Sequence, residues 1–506
     1  MSGPFDTGVS ASYKVPGFFG KIIFGAGTVS AGAVRLVCLL VGMKTSAGSL
    51  TVDSQIADGT SQEEADSYAG AGSQLARMAY SALQVPTVKL KMAAVTEPGG
   101  GTAATVTIVL TGTITAAGET HIRIAGKSYK TAFLATDTLD TIGAAVVAKI
   151  SSDTRCPFSA AYNSSTDTIT LTCRNKGTQG RDWIVYWVTD DIAASGLIGT
   201  IAGSSTVNTG GVRAGAASSG TGSEDVTSLL TKLLTNRYAR VAVGHNDTTN
   251  AALWEAHVNA KALATTMLYD QLVFGFNGTY ANAISLAATT LNAHRAQVVW
   301  HRNSESHPCE IAAYVAAKRS VVEQATWVPD YDGLELTPIA PQAFDADKPT
   351  PPEQDAALNN GVTPCTTVNG VAVCVRAITT YCLNGTAQDE RCLDIGDAVC
   401  PDQAMIDLQL FWSTEFRPAN PYVGPDPAEG DPEPPSGVAF PKLWNGKVVQ
   451  KLEEWGRAGW MKFPPTGIWA PTSTFVEASE AIATVIPLPV RRLQHRTDQV
   501  MRQTAS

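Results

Sequence analysis

Alternating strand-like and helix-like segments predict an α/β core with helices on a mixed sheet, an inserted α+β or mostly β domain, a C-terminal α+β domain, and extended N- and C-terminal arms. Three observations carry that prediction. Strand and helix patterns alternate four times after Ser223, which suits a sheet with helices packed on its faces. From Glu97 the texture changes to Gly, Thr and Val at period two, which marks a separate β-rich unit. Each end of the chain carries a β-prone run, 13–24 and 482–490, with no neighbouring run joined to it by an obvious turn. A chain of 506 residues is also too long for one core, because single cores stop growing near ~250–300 residues. The expected division is an arm at 1–25, a first core part at 26–96, an insert at 97–215, a second core part at 216–350, a last domain at 351–481 and an arm at 482–506.

Taken in order, residues 34–42 are short, apolar and closed by Gly42, the pattern of a buried strand. Ser61 and Glu64 have the spacing of a capping box, and Ser73 opens a second helical stretch after Gly70 and Gly72. Residues 85–95 return to strand. In the insert, 104–111 and 121–125 alternate at period two, 139–150 has helical spacing, and 158–162 and 168–173 read as further strands. The Gly/Ser/Thr-rich residues 199–222 read as a linker. The core resumes with a helix to Leu234, strands at 238–243, 271–275 and 297–300, and helices at 250–263, 280–293 and 308–324. Proline-rich 337–352 leads to the last domain, which holds a hairpin, a helix at 402–416, a Pro/Asp/Glu loop at 418–435 and a helix from Trp444.

The unpaired ends are the most informative feature. A strand without a partner leaves N–H and C=O groups open, and two of them at opposite termini point to partners on other copies of the chain. The residues expected to form these inter-subunit strands are Lys14, Val15, Gly17, Phe18 and Ile22 at the front and Val485, Ile486, Leu488, Val490 and Arg491 at the back. A charged content of 16% beside 44% hydrophobic residues fits a surface largely covered by copies of itself. The net charge of −9 disfavours a general nucleic-acid surface. From Ile486 onward, however, four Arg stand against one Asp, a basic end suited to an acidic face elsewhere in the same protein. Residues 1–6 lack the positive and apolar pattern of a secretory leader, and the apolar run at 34–41 is interrupted by Arg35. A cytoplasmic site of synthesis is therefore expected, although nine cysteines are many for that compartment.

No catalytic motif emerges. His301, His307 and Cys309 lie within nine residues, but without metal-ligand spacing or a third orienting group, and a helix start explains them. Residues 70–73 are glycine-rich before a helix yet lack the Gly-Lys-Ser/Thr ending of a phosphate cradle and the Gly-x-Gly-x-x-Gly of a dinucleotide site. Glu63–Glu64 and Asp190–Asp191 are adjacent in sequence rather than set across a cleft. Trp412, Trp444, Trp455, Trp460 and Trp469 read as core and interface in preference to a sugar-binding surface. No cofactor and no metal are expected.

Asn369-Gly370, flanked by β-formers, predicts a type I′ hairpin in which 368 faces 371 and Cys365 faces Cys374. That opposition is within disulfide reach. Cys156 and Cys173 oppose each other more loosely across a turn at 163–167. Cys382, Cys392, Cys400 and Cys38 are candidates to bridge copies if the assembly meets an oxidising exterior.

In order along the chain, Lys14-Val15-Pro16-Gly17, Leu39-Leu40-Val41-Gly42, the run from Gly72 to Met78, Gly361, Ile378-Thr379-Thr380-Tyr381 and Leu393-Asp394 resemble the tail sheath proteins of Mu-like contractile bacteriophages. The likeness covers most of the chain in short motifs, and 418–480 departs most from it. The resemblance implies a non-enzymatic homo-oligomer, hexameric rings stacked helically around a tail tube protein between baseplate and tail terminator proteins. It further implies arms that add strands to a neighbour's C-terminal sheet, and a metastable extended lattice that contracts to drive the tube through the host envelope. Assembly in the host cytoplasm, residence in the virion tail, and no direct nucleic-acid contact or membrane insertion follow from it. The alternatives are a sheath of a bacterial contractile injection system and an α/β hydrolase-like enzyme with a β accessory domain; the missing Gly-x-Ser-x-Gly elbow disfavours the enzyme.

Overall fold

The computed structural model describes residues 36–188, 192, 194–202, 205–207, 212–216, 219–430, 432, 434–462 and 467–491. Its first element, β1 (Val37–Met43), is apolar at almost every position because both of its faces are covered. Cys38 and Leu40 point into one core, and Leu39, Val41 and Met43 into another. β2 (Ile56–Gly59), α1 (Gln62–Ala69), α2 (Gln74–Ala82) and β3 (Lys89–Val95) follow. The expected caps are present: Ser61 and Ser73 accept from the backbone N–H groups of Glu64 and Ala76. β2 is a short antiparallel edge strand on β3 with too few residues to show a pattern in the sequence.

The segment after Glu97 folds as two sheets around one core, a four-stranded and a five-stranded one. Its strands are β4 (Ala103–Gly112), β5 (Gly118–Ile124), β6 (Lys127–Phe133), β7 (Phe158–Asn163), β8 (Thr168–Lys176), β9 (Ile184–Val188), β10 (Leu197–Ala202), β11 (Ser205–Val207) and β12 (Val212–Ala216). α3 (Leu139–Ser151) packs into the same core through Ile142, Val146 and Ile150. The linker expected at 199–222 is corrected. β10 pairs antiparallel with β4, and β12 with β9, so Gly199, Thr200 and Gly215 belong to strands whose partners are distant in sequence. Entry and exit of the segment are pinched together by reciprocal backbone hydrogen bonds between Thr102 and Thr221, both 3.2 Å.

α4 (Thr227–Leu233), β13 (Arg240–Val243), α5 (Thr248–Lys261), β14 (Gln271–Phe276), α6 (Tyr280–Ile284), β15 (Ala296–Trp300) and α7 (Pro308–Ala325) complete the alternation. The helix expected over 280–293 is α6 continued by a wider π turn, Ser285–Leu291, closed by left-handed Asn292. Gly275 lets α7 approach the sheet, since a Cβ there would stand 1.9 Å from the Pro308 carbonyl oxygen. β16 (Leu334–Glu335), α8 (Pro351–Asn359), β17 (Val362–Val368) and β18 (Val371–Cys374) follow.

One nine-stranded sheet joins these parts in the order β16-β18-β17-β15-β14-β13-β1-β3-β2. Strands β17 to β3 in that order run parallel, with antiparallel strands at both margins. Helices α1, α2 and α7 cover one face, and α4, α5 and α6 the other. The β17–β18 hairpin, expected in the last domain, thus belongs to the core sheet: its Val362–Pro364 half is a parallel partner of β15.

The last part contains β19 (Leu383–Asn384), β20 (Ala387–Gln388), α9 (Ile395–Phe411), the short α10 (Arg417–Ala419), β21 (Tyr422–Val423), β22 (Val438–Ala439), α11 (Pro441–Arg457), β23 (Thr472–Val476) and β24 (Ala481–Val485). α9 starts two turns before the expected position because Pro401 lies inside the helix instead of opening it. Trp327, Leu408, Phe416, Trp444, Val448, Leu452, Trp455 and Met461 form its core. Among the described residues, no helix is long and apolar enough to cross a membrane.

Candidate assembly interface

The terminal unit is built on α11, whose apolar face Trp444, Val448, Leu452 and Trp455 recurs at helical spacing. Trp455 is fully buried, and its indole N–H donates to Asp407 on α9 at 3.1 Å. Burial pushes the Asp407 carboxyl up, while Lys451, 3.5 Å away, opposes that shift. Trp460 stacks on Trp327 with ring centroids 5.4 Å apart and donates to Thr326. The tryptophan-rich stretch is therefore largely core, with Trp412 and Trp460 half-buried at its margin.

Against α11 lies the hairpin of β23 and β24, in register Thr472↔Val485, Ser473↔Thr484, Thr474↔Ala483, Phe475↔Ile482 and Val476↔Ala481. Ser473 and Thr484 share a 2.9 Å hydrogen bond, and Ser473 also donates to Asn445 of α11, which fixes the inward face. The reading of 482–490 as a strand without a neighbour is corrected: Val485 pairs with Thr472 of its own chain. Ile486 and Leu488 pack against the tryptophan core. Val490 bridges Met461, and the backbone N–H of Arg491 donates to the Trp460 carbonyl at 3.2 Å. Lys14, Val15, Gly17, Phe18 and Ile22 lie outside the described residues.

Among the described residues the hairpin has only two strands, so the outer edges of β23 and β24 pair with no third strand. Isolated hairpins are marginal in water, and this one relies on its packing against α11. Its edges are the kind of surface that takes up a further strand through main-chain hydrogen bonds.

The cysteines behave differently from expectation. Cys365 does face Cys374 across the hairpin, with Asn369 and Gly370 both at positive φ as a type I′ turn requires. No disulfide is formed: all nine cysteines are free and buried. The hydrogen bond from Cys374 and burial push the Cys365 thiol well up. Cys173 is registered with Phe158 and not with Cys156, because β7 begins two residues after Cys156. Cys382, Cys392, Cys400 and Cys38 are buried within the chain.

The histidine–cysteine run and the glycine-rich turn resolve as local structure, while Asp190 and Asp191 lie outside the described residues. His307 caps α7, accepting from the Cys309 backbone N–H at 3.2 Å while Glu310 completes the capping box. Burial pushes the imidazoles of His301 and His307 down to about 4, and raises the Cys309 thiol well above its ordinary value. Gly70 and Gly72 are at positive φ, where the chain turns tightly into α2. Among the described residues no three His, Cys, Asp or Glu side chains are grouped to hold a metal. A crevice beside Met43, Gln74, Gln179 and His307 has about 20 Å³ of free space, room for a single water.

A stretch of 145 residues is 34% identical to the Mu-like prophage FluMu tail sheath protein of Haemophilus influenzae. That stretch covers 28% of this chain and 29% of the relative, so the chain matches under a third of that relative's length. No family model matches the chain. Solved structures similar to it include a sheath tail protein of Desulfitobacterium hafniense, 12% identical, covering 90% of this chain and 93% of that one at a TM-score of 0.47. A sheath tail protein of Listeria innocua is also 12% identical, over 92% and 94% of the two chains, at 0.47. The helical sheath of the anti-feeding prophage in its contracted state is 10% identical over 97% and 100%, at 0.48.

Proposed function

We propose that this chain is a structural subunit of a contractile phage tail sheath, with no catalytic role. The observation that carries the reading is the 34% identity over 145 residues to a Mu-like prophage tail sheath protein. The short motifs that resemble the same family, and the two-stranded terminal hairpin with open edges among the described residues, support it. In this reading copies stack as hexameric rings around a tail tube, between baseplate and terminator proteins. Residues 13–24 of one copy extend the β23–β24 hairpin of another, and main-chain pairing keeps the mesh connected while the subunits reorient. The stroke draws its energy from relaxation of a metastable lattice, with no nucleotide required. Assembly in the host cytoplasm and incorporation into the virion tail complete the proposal.

The purified full chain is expected to form hollow, striated tubes visible by negative-stain electron microscopy. A protein that stays monomeric at high concentration, with or without purified tail tube, overturns the reading.

A further inference from the structure

β1 pairs with β3 on one side and β13 on the other, so the strand order reverses direction at β1. Open α/β sheets take their ligands in the crevice at the carboxyl ends of such strands. Here that crevice is filled by the chain itself. We propose that Gln179, on the turn Thr178–Asp182 of the inserted β-rich segment, is a peg seated in this crevice, and that the buried polar chain around it locks insert and core into one mechanical body.

The peg is gripped at three atoms. Its amide oxygen accepts from Gln74 on α2, its amide nitrogen donates to Glu224, and its carbonyl oxygen contacts His307 Nε2 at 2.9 Å. His307 Nδ1 accepts from Cys309, so Nε2 carries the proton and donates to Gln179. Gln74 is itself fixed, accepting from the Met43 backbone at 2.8 Å and donating to the Gly244 carbonyl at 2.8 Å. The backbone N–H of Gln74 donates to Asn175 at 2.7 Å, and Asn175 donates to the Lys44 carbonyl at 3.0 Å. Behind Glu224, His245 Nδ1 stands 3.2 Å from the carboxylate while its Nε2 accepts from Trp254 at 2.8 Å. The carboxyl ends of β1 and β13, the first residues of two helices and the insert's turn thus meet in one cluster, with Gln74, Gln179, Glu224, His245 and His307 all buried. Burial alone raises a carboxyl, yet the His245 contact and the hydrogen bonds hold Glu224 below its ordinary range, as expected for a charged acceptor held by donors. Glu224 Oε2 and His245 Nδ1 have no hydrogen-bond partner among the described residues, whereas the side-chain amide and the carbonyl oxygen of Gln179 are bonded, so displacing Gln179 leaves further buried groups without partners.

The test is an exchange of donor and acceptor in the full-length monomer, read by amide hydrogen exchange at the neck, 97–102 and 219–224. Gln179→Glu sets a second carboxylate against Glu224 and is expected to speed exchange there on the order of 100-fold, while strands β14 and β15 keep their protection. Combining it with Glu224→Gln restores one donor and one carboxylate and is expected to return exchange to within about threefold of the parent. Parent-like exchange in Gln179→Glu, or no recovery in the double variant, overturns the proposal. Should Gln179→Glu fail to fold, Gln179→Met is read in its place; parent-like neck exchange in that variant overturns the proposal equally. The readout needs no polymer, so its outcome is separable from that of the sheath reading.

Discussion

Arg302 holds the Glu353 carboxylate with two nitrogens at 2.9 and 3.1 Å, and the same carboxylate accepts from the Thr350 backbone N–H at the start of α8. The arginine pair first, and the backbone donor second, bring its pKa down to about 2. Because this lies below the free value near ~4.3, the stabilisation is complete above that pH and is lost as pH falls towards 2. The pair is partly exposed, so it contributes about 1 kcal/mol. Glu353→Gln is therefore expected to lower the melting temperature at pH 7 and to lower it much less at pH 2, where half of the carboxylates are protonated, as checked by calorimetry at both. The local roles of single residues were legible where their partners are near in sequence. His307 was readable as a helix start, and Cys365 could be placed opposite Cys374 by counting from Asn369-Gly370. Gln179 was invisible, because nothing in a polar turn announces partners at Gln74 and Glu224.

At the level of elements, the terminal hairpin shows why 482–490 looked unpaired. Its turn is Glu477–Ser479 followed by Glu480 at φ +47°, with no Gly, Pro or Asn to signal a reversal. A glutamate in the left-handed region carries strain, so Glu480→Gly is expected to stabilise the unit by about 1 kcal/mol, measured as a raised urea midpoint with unchanged slope. The hairpin also refines where the chain tolerates truncation. Removing 481–506 strips β24 together with Ile486 and Leu488 from the tryptophan core, and is expected to destabilise the last part and expose it to protease. Removing 492–506 leaves every described contact of the hairpin in place and is expected to leave the unfolding midpoint unchanged. Equal stability of the two truncations would contradict the packing assigned to β24. The core's alternation was legible because parallel strands buried on both faces are uninterrupted apolar runs; β10 to β12 were not, because their small residues mimic a linker.

For the whole molecule, the sheath reading places residues 13–24 on a neighbouring copy. A chain lacking 1–24 is then expected to keep the melting temperature of the parent yet form no tubes in electron micrographs; normal tubes would rule out that role for the arm. The mixed α/β class of the fold was legible, while the boundary expected at 350 was not, because β17 and β18 follow a proline-rich stretch and still return to the central sheet. The position of β1 has a temporal consequence. One flank of this strand is completed early by β3, but the other waits for β13, which the ribosome delivers only after the whole insert has emerged. At ~5–20 residues per second, nascent β1 offers a naked apolar margin for on the order of ten seconds or more. Chaperone capture during translation, and loss of yield when synthesis is slowed between Glu97 and Arg240, are the cellular marks such a delay leaves.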